Sequence, residues 1–129
     1  MKNIYFIDDD PTFVYLTRRM LSSSRAGFES KEFTDGELAI DHLRTICDRP
    51  DLLPDIIFLD LSMPVMDGWE FLEEYSQLRN KLSKKISLFI VSSSISPEEV
   101  ERSKTYSAVT DFLIKPLKAG KIEELLATK

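Results

Sequence analysis

Short apolar runs punctuate the chain at residues 4–7, 56–59, 88–91 and 112–114, each about four residues long and rich in Ile, Val, Leu and Phe. That length and composition predict strands buried on both faces, as parallel strands are. Residues 28–33 alternate apolar and polar only at their ends, which predicts a strand nearer an edge. Between the runs lie amphipathic stretches with helical spacing. Their apolar faces are Phe13, Leu16, Met20 and Leu21; then Leu38, Leu43 and Ile46; then Phe71, Leu72, Tyr75, Leu78 and Leu82; and last Ile122, Leu125 and Leu126. Residues 98–106 are helical by their start signals but apolar only at Val100 and Tyr106. Asp10 before Pro11 reads as an N-cap with proline in the first turn. Thr34 with Glu37, and Ser96 with Pro97 and Glu99, read as capping boxes. Strand and helix thus alternate about five times, and right-handed crossovers turn that order into a doubly wound α/β sandwich. The connection over residues 47–55, with Pro50 and Pro54, is longer than such joints usually are.

Composition narrows the class. The chain has 129 residues, 43% of them hydrophobic and 30% charged, which fits one soluble domain over 1–129 with no output domain attached. A single cysteine, Cys47, excludes a disulfide framework. No apolar run approaches the roughly 20 residues of a membrane span. The N-terminus meets three acids after a short apolar run, so it does not read as a secretory signal, and a cytoplasmic location is expected. Seventeen basic against 22 acidic residues leave a net charge of -5, which argues against nucleic acid as a partner.

Ligands of an open parallel sheet bind beyond the carboxyl ends of its strands. The first strand ends in Asp8 and Asp9, the third in Asp60, the fourth in Ser92 and Ser93, and the fifth in Lys115 followed by Pro116. Two carboxylates about 4 Å apart repel by about 4 kcal/mol at an effective dielectric of 20. Three are tolerated together only with a proton or a cation among them. Hard oxygen donors select Mg²⁺ or a similar ion, and magnesium keeps coordination sites open for phosphate oxygens. The acid cluster therefore points to a magnesium site that handles phosphoryl groups, with Lys115 neutralising the acids or pairing with a phosphoryl oxygen. Other polar residues have plainer readings. Asp10 is a cap, Asp67 with Gly68 is a turn opening a helix, His42 is a solvated helix residue, Cys47 is a filler, and Trp69, Phe71 and Tyr75 are packing.

At these residues the sequence resembles the receiver domain of two-component response regulators. The motifs are the acid pair in FIDDDP, the acceptor in FLDLSMPVMDGWEFL, the hydroxyl in IVSSS and the lysine in FLIKPL, and the match covers essentially the whole chain. The resemblance implies a flavodoxin-like (βα)5 three-layer fold with strand order 2-1-3-4-5. It implies that Asp60 accepts a phosphoryl group from a histidine kinase or histidine phosphotransfer protein, a switch rather than an enzyme. Asp9 and Asp60 would bind Mg²⁺ directly, the Ser62 carbonyl would be a third protein ligand, and Asp8 would act mostly through a coordinated water. Lys115 would contact the acyl phosphate, and its bond to Pro116 is expected to be cis. Ser92 takes the place of the family's switch hydroxyl, and Phe112 the place of its switch aromatic. Phosphorylation would draw Ser92 inward and let Phe112 follow, altering the outer face of the fourth and fifth βα units for a downstream protein target. Phe112 stands where tyrosine is common, so a hydroxyl-borne signal is lost. Ser62 and Ser94 supply no acid or amide to orient water, which favours slow self-hydrolysis.

Other classes fit less well. A magnesium phosphohydrolase resembling the haloacid dehalogenase group would use Asp8 and Asp10, but Pro11 follows them. A flavin carrier needs a Ser/Thr/Gly-rich loop after the first strand, where this chain has three aspartates that would repel the phosphate. A docking-only pseudo-receiver would not need the full set Asp8, Asp9, Asp60, Ser92 and Lys115.

Overall fold

The computed structural model describes residues 2–23, 27–93 and 96–127. Ser94, invoked above for phosphoryl lifetime, lies outside them. Five strands and five helices alternate: β1 (Lys2–Ile7), α1 (Pro11–Ser22), β2 (Phe28–Phe33), α2 (Gly36–Thr45), β3 (Ile56–Asp60), α3 (Gly68–Leu78), β4 (Ser87–Ser92), α4 (Pro97–Ser103), β5 (Val109–Ile114) and α5 (Ala119–Ala127). All strand pairs are parallel, in the order β2-β1-β3-β4-β5.

The period of two along a strand sends neighbouring side chains to opposite faces, and the central strands are apolar on both. Ile4, Phe6, Ile56, Phe58, Phe89 and Val91 face α1 and α5, where Phe13, Val14, Leu21, Ile122 and Leu125 cover them. Tyr5, Ile7, Ile57, Leu59, Leu88 and Ile90 face α2 and α3, where Ile40, Leu43, Phe71, Leu72 and Tyr75 close the second core. In-register pairing lines Phe6, Phe58 and Phe89 across β1, β3 and β4, with ring centroids 5.6 and 6.0 Å apart. Burying each such ring contributes roughly 2–3 kcal/mol. The core is therefore a rigid slab, and the strand ends above it are held in fixed register.

The helix starts largely follow expectation. Asp10 caps α1, accepting from the N–H groups of Thr12 and Phe13. At α2 the cap is Asp35, one residue past the expected Thr34; its side chain accepts from Leu38 N at 3.0 Å. Ser96 caps α4, but its hydroxyl donates to Glu98 rather than completing a box with Glu99. The reciprocal box is at α3 instead, between Asp67 and Glu70.

One further expectation changes. His42 is not a solvated residue: its ring packs on Tyr5 and Phe33, and its Nε2 is 3.0 Å from the Tyr5 hydroxyl. Burial, helped by the charge of Lys31, pushes its pKa below the ordinary value. The long connection over residues 47–55 is a plug for the lower end of the sheet. Leu53 is fully buried, the Asn3 amide donates to the carbonyls of Leu52 and Leu53, and Asp55 pairs with Lys84 at 2.9 Å.

Candidate functional site

Three strand ends build the site. β1 runs out at Ile7, and Asp8 continues in line because its N–H still donates to Phe33 O at the end of β2. Asp60 is the last residue of β3, paired in register with Val91. Past β5, the Lys115 N–H donates to Ser92 O at 2.7 Å, which carries the lysine over the top of β4. The Lys115–Pro116 peptide bond is cis, as expected. Residues from distant parts of the chain are thus placed together by the sheet alone.

Asp8, Asp9 and Asp60 each offer a carboxylate oxygen, all within 4.8 Å of one another. Asp8 and Asp60 are buried and Asp9 is exposed. Lys115 Nζ lies 2.9 Å from Asp8 Oδ2, 3.5 Å from Asp10 Oδ2 and 3.8 Å from Asp60 Oδ1. It also sits 4.7 Å above the Phe13 ring.

Burial dominates the electrostatics. It raises the Asp60 pKa from 3.8 to about 7, aided by repulsion from Asp8 and opposed by Lys115 and the Ser62 N–H. Burial raises Asp8 as well, against hydrogen bonding from Lys115 and the Asp10 N–H. Asp10 goes the other way, lowered chiefly by the Phe13 N–H and further by Lys115. Lys115 is disfavoured as a cation by burial, yet Asp8, Asp60 and Asp10 together raise its pKa.

The donor set fits a hard divalent cation. Three carboxylates converge within coordination reach of a common point, and the buried Asp8 Oδ2 faces the Lys115 ammonium that it shares with Asp10 and Asp60. The single ammonium of Lys115 cannot neutralise three or four carboxylates. Ser62 follows Asp60 closely enough for its N–H to reach the Asp60 carboxylate.

The positions expected to form the switch, Ser92 and Phe112, share one face of the sheet. Phe112 pairs with Ile90, and Ser92 with Ile114, so the Ser92 and Phe112 side chains emerge on the same side two positions apart. Phe112 is half-buried against the α2–α3 core. The fourth unit is tied down by side-chain stacking. Arg102 of α4 lies 4.3 Å over the Trp69 ring, Trp69 stacks on Tyr106, and the Tyr106 hydroxyl donates to Glu73 at 2.8 Å. Phe71 and Tyr75 are buried packing and Trp69 packs half-buried against the same core, as expected, while also clamping Arg102.

Sequence reasoning missed two contacts of Lys115, with Asp10 and with Phe13. The spacing of Asp10 before Pro11 announced only a cap. One backbone feature was also silent. Val65, between Asp60 and α3, has φ 64° and is 74% exposed. A β-branched residue is strained there, and asparagine tolerates the left-handed region better. Val65→Asn should therefore stabilise the fold by about 1 kcal/mol, read as a higher thermal midpoint; an unchanged or lower midpoint would count against strain.

The comparisons agree with this geometry. The family model described as the response regulator receiver domain matches residues 4–127. The chemotaxis protein CheY of Thermotoga maritima is 27% identical over 93% of this chain and 91% of that protein. A two component response regulator from Cytophaga hutchinsonii superposes with a TM-score of 0.84 at 26% identity, covering 96% of this chain and 92% of that one. The phosphorylated cyanobacterial phytochrome response regulator RcpA gives a TM-score of 0.77 at 25% identity, covering 97% and 88%. Among the curated relatives the share of the relative that is spanned falls as low as 10%, so the match carries the receiver unit and not those whole proteins. Among the described residues no helix is long and apolar enough to cross a membrane.

Proposed function

The chain belongs to the response regulator receiver family, the switch unit of two-component signalling, and from that membership we propose that Asp60 is its phosphoacceptor. The observation that carries this reading is the convergence of the Asp8, Asp9 and Asp60 carboxylates within 4.8 Å, with Lys115 3.8 Å from Asp60. The donor is a phosphohistidine on a sensor kinase or phosphotransfer protein. An Asp60 carboxylate oxygen forms the new O–P bond while the N–P bond breaks. The electron pair stays on the imidazole nitrogen, which takes a proton from solvent. The phosphorylated form of the cyanobacterial relative supports the same outcome here.

Asp8, Asp9, Asp60 and the Ser62 carbonyl would hold Mg²⁺, which when bound supplies the positive charge that lets an anionic donor approach an acidic pocket. Lys115 contributes the second cation and moves from its resting place onto a phosphoryl oxygen. The new group adds roughly two negative charges. Ser92, at the adjacent strand end, answers with its hydroxyl, and Phe112 on the same face follows. The signal leaves through the fourth and fifth units, where a groove of about 580 Å³ lies along β5, lined by Phe112, Ile114, Pro116 and Lys121 among others. Such a surface fits a protein target.

Incubation with acetyl phosphate and Mg²⁺ should add one phosphoryl group, seen by intact mass. The Asp60→Asn variant should gain none. Equal phosphate uptake by that variant would move the acceptor elsewhere.

A further inference from the structure

We propose that Asp10 is a positioning residue for Lys115: its carboxylate holds the ammonium on the Asp8 side of the pocket and so restrains its release to a phosphoryl group. The inference rests on Asp60 being the phosphoacceptor.

The two oxygens of Asp10 divide their work. Oδ1 accepts from the N–H groups of Thr12 and Phe13 at 3.1 and 3.2 Å, which fixes the carboxylate at the start of α1. Oδ2 is then aimed without further ordering, and Lys115 Nζ lies 3.5 Å from it. The Asp10 N–H donates to Asp8 Oδ1 at 2.9 Å, so Asp8 and Asp10 form one rigid pair of acids. Both are nearer to Lys115 than Asp60 is. The Phe13 ring beneath the ammonium completes a resting place whose nearest carboxylates come from the end of β1 and the cap of α1. Asp10 is not part of the carboxylate cluster within 4.8 Å, so a cation bound there would leave its charge free to act on Lys115. The side chain of Lys115 is 12% exposed, which keeps these pairings from being screened as surface pairs are. Asp10 itself is 41% exposed, so the restraint is modest.

Capping and charge can be separated by substitution. Asn caps as well as Asp but carries no charge, Glu keeps the charge but not the cap, and Ala loses both. In the full chain with Mg²⁺ and acetyl phosphate, Asp10→Asn and Asp10→Ala should take up phosphate about threefold to tenfold faster. Asp10→Glu should bring the rate back down from the Asn value. The melting midpoint should follow the other property, falling for Ala and Glu and holding for Asn. In metal-free protein, the Lys115 ammonium signal in NMR should lose protection from exchange in Asp10→Asn. In a Lys115→Met background the Asn substitution should no longer change the rate.

A rate that tracks the melting midpoint rather than the charge would overturn the proposal and leave Asp10 a cap. An Asn effect that persists without Lys115 would also overturn it, since the charge would then act on the donor directly. If the parent chain gains no phosphate at all, the acceptor assignment fails instead, and the ammonium signal still decides whether Asp10 holds Lys115.

Discussion

In metal-free protein at about pH 8, Asp60→Asn should raise the thermal midpoint by about 10 °C, and near pH 4 it should change almost nothing. The folded-state pKa of Asp60 is about 7, against an ordinary 3.8, and burial is the main cause. Below about pH 4 both folded and unfolded chains hold the proton, so no difference exists. Between about 4 and 7 the unfolded chain gives up its proton while the folded one retains it. Stability therefore falls as pH rises through that window, and above it the full penalty applies. A shift of about 3 units corresponds to at most about 4 kcal/mol. Asp8 shares part of it, because burial raises its pKa too, so about 2–4 kcal/mol is expected. The amide removes the charge, keeps the volume, and leaves Lys115 paired with Asp8 and Asp10. Calorimetric melts at several pH values in a chelator measure this directly. A gain that does not depend on pH would show that Asp60 is not a strained carboxylate.

The same substitution abolishes the proposed phosphoryl acceptance, so stability and function are opposed at one side chain. That opposition is what a receiver site requires. Acids crowded together with too little counter-charge at rest retain a demand for positive charge that a divalent ion can meet. Adding Mg²⁺ should therefore stabilise the parent chain more than the variant.

The sheet and its rim were legible because buried parallel strands are short and apolar, and the polar residue that ends each run is conspicuous. Asp8, Asp9, Asp60, Ser92 and Lys115 were placed at strand ends by that contrast alone, and the sheet order then brought them to one rim. Contacts that depend on crossing angles were not legible. Nothing local to Asp10 says that a lysine 105 positions later will reach its second oxygen. His42 was read as solvated, but the helix turns its ring inward onto Tyr5. Thr34 and Asp35 are both good caps, and only the backbone decided between them. Trp69 packs on the core as expected, but its second partner, Arg102, lies far along the chain on a helix with little apolar character.

The second large effect concerns Gly68, the first residue of α3. On helix propensity alone Gly68→Ala should stabilise by up to about 1 kcal/mol. We expect the opposite sign, a loss of about 2–4 kcal/mol. A Cβ at this position would lie 2.5 Å from the carbonyl oxygen of Asp60, 2.7 Å from Leu61 Cα and 3.0 Å from Leu61 Cδ2. The first two are backbone atoms, with no rotamer to move aside. The Gly68 N–H also donates to Leu61 O at 3.0 Å, so the start of α3 is pinned against the end of β3. Relief must come from lifting α3 off the strand or from shifting the Asp60 peptide, and either displaces Asp60 from Asp8 and Lys115. Gly68→Ala should therefore lower both the melting midpoint and the rate of phosphate uptake. Gly120→Ala is the matched control, because a Cβ there meets nothing within 4 Å and the position is early in α5. It should show the propensity gain, about 0.5–1 kcal/mol. Opposite signs at two helical glycines, measured by chemical denaturation, separate close approach from propensity. If Gly68→Ala stabilised the chain as Gly120→Ala does, the tight seat of α3 against β3 would be refuted.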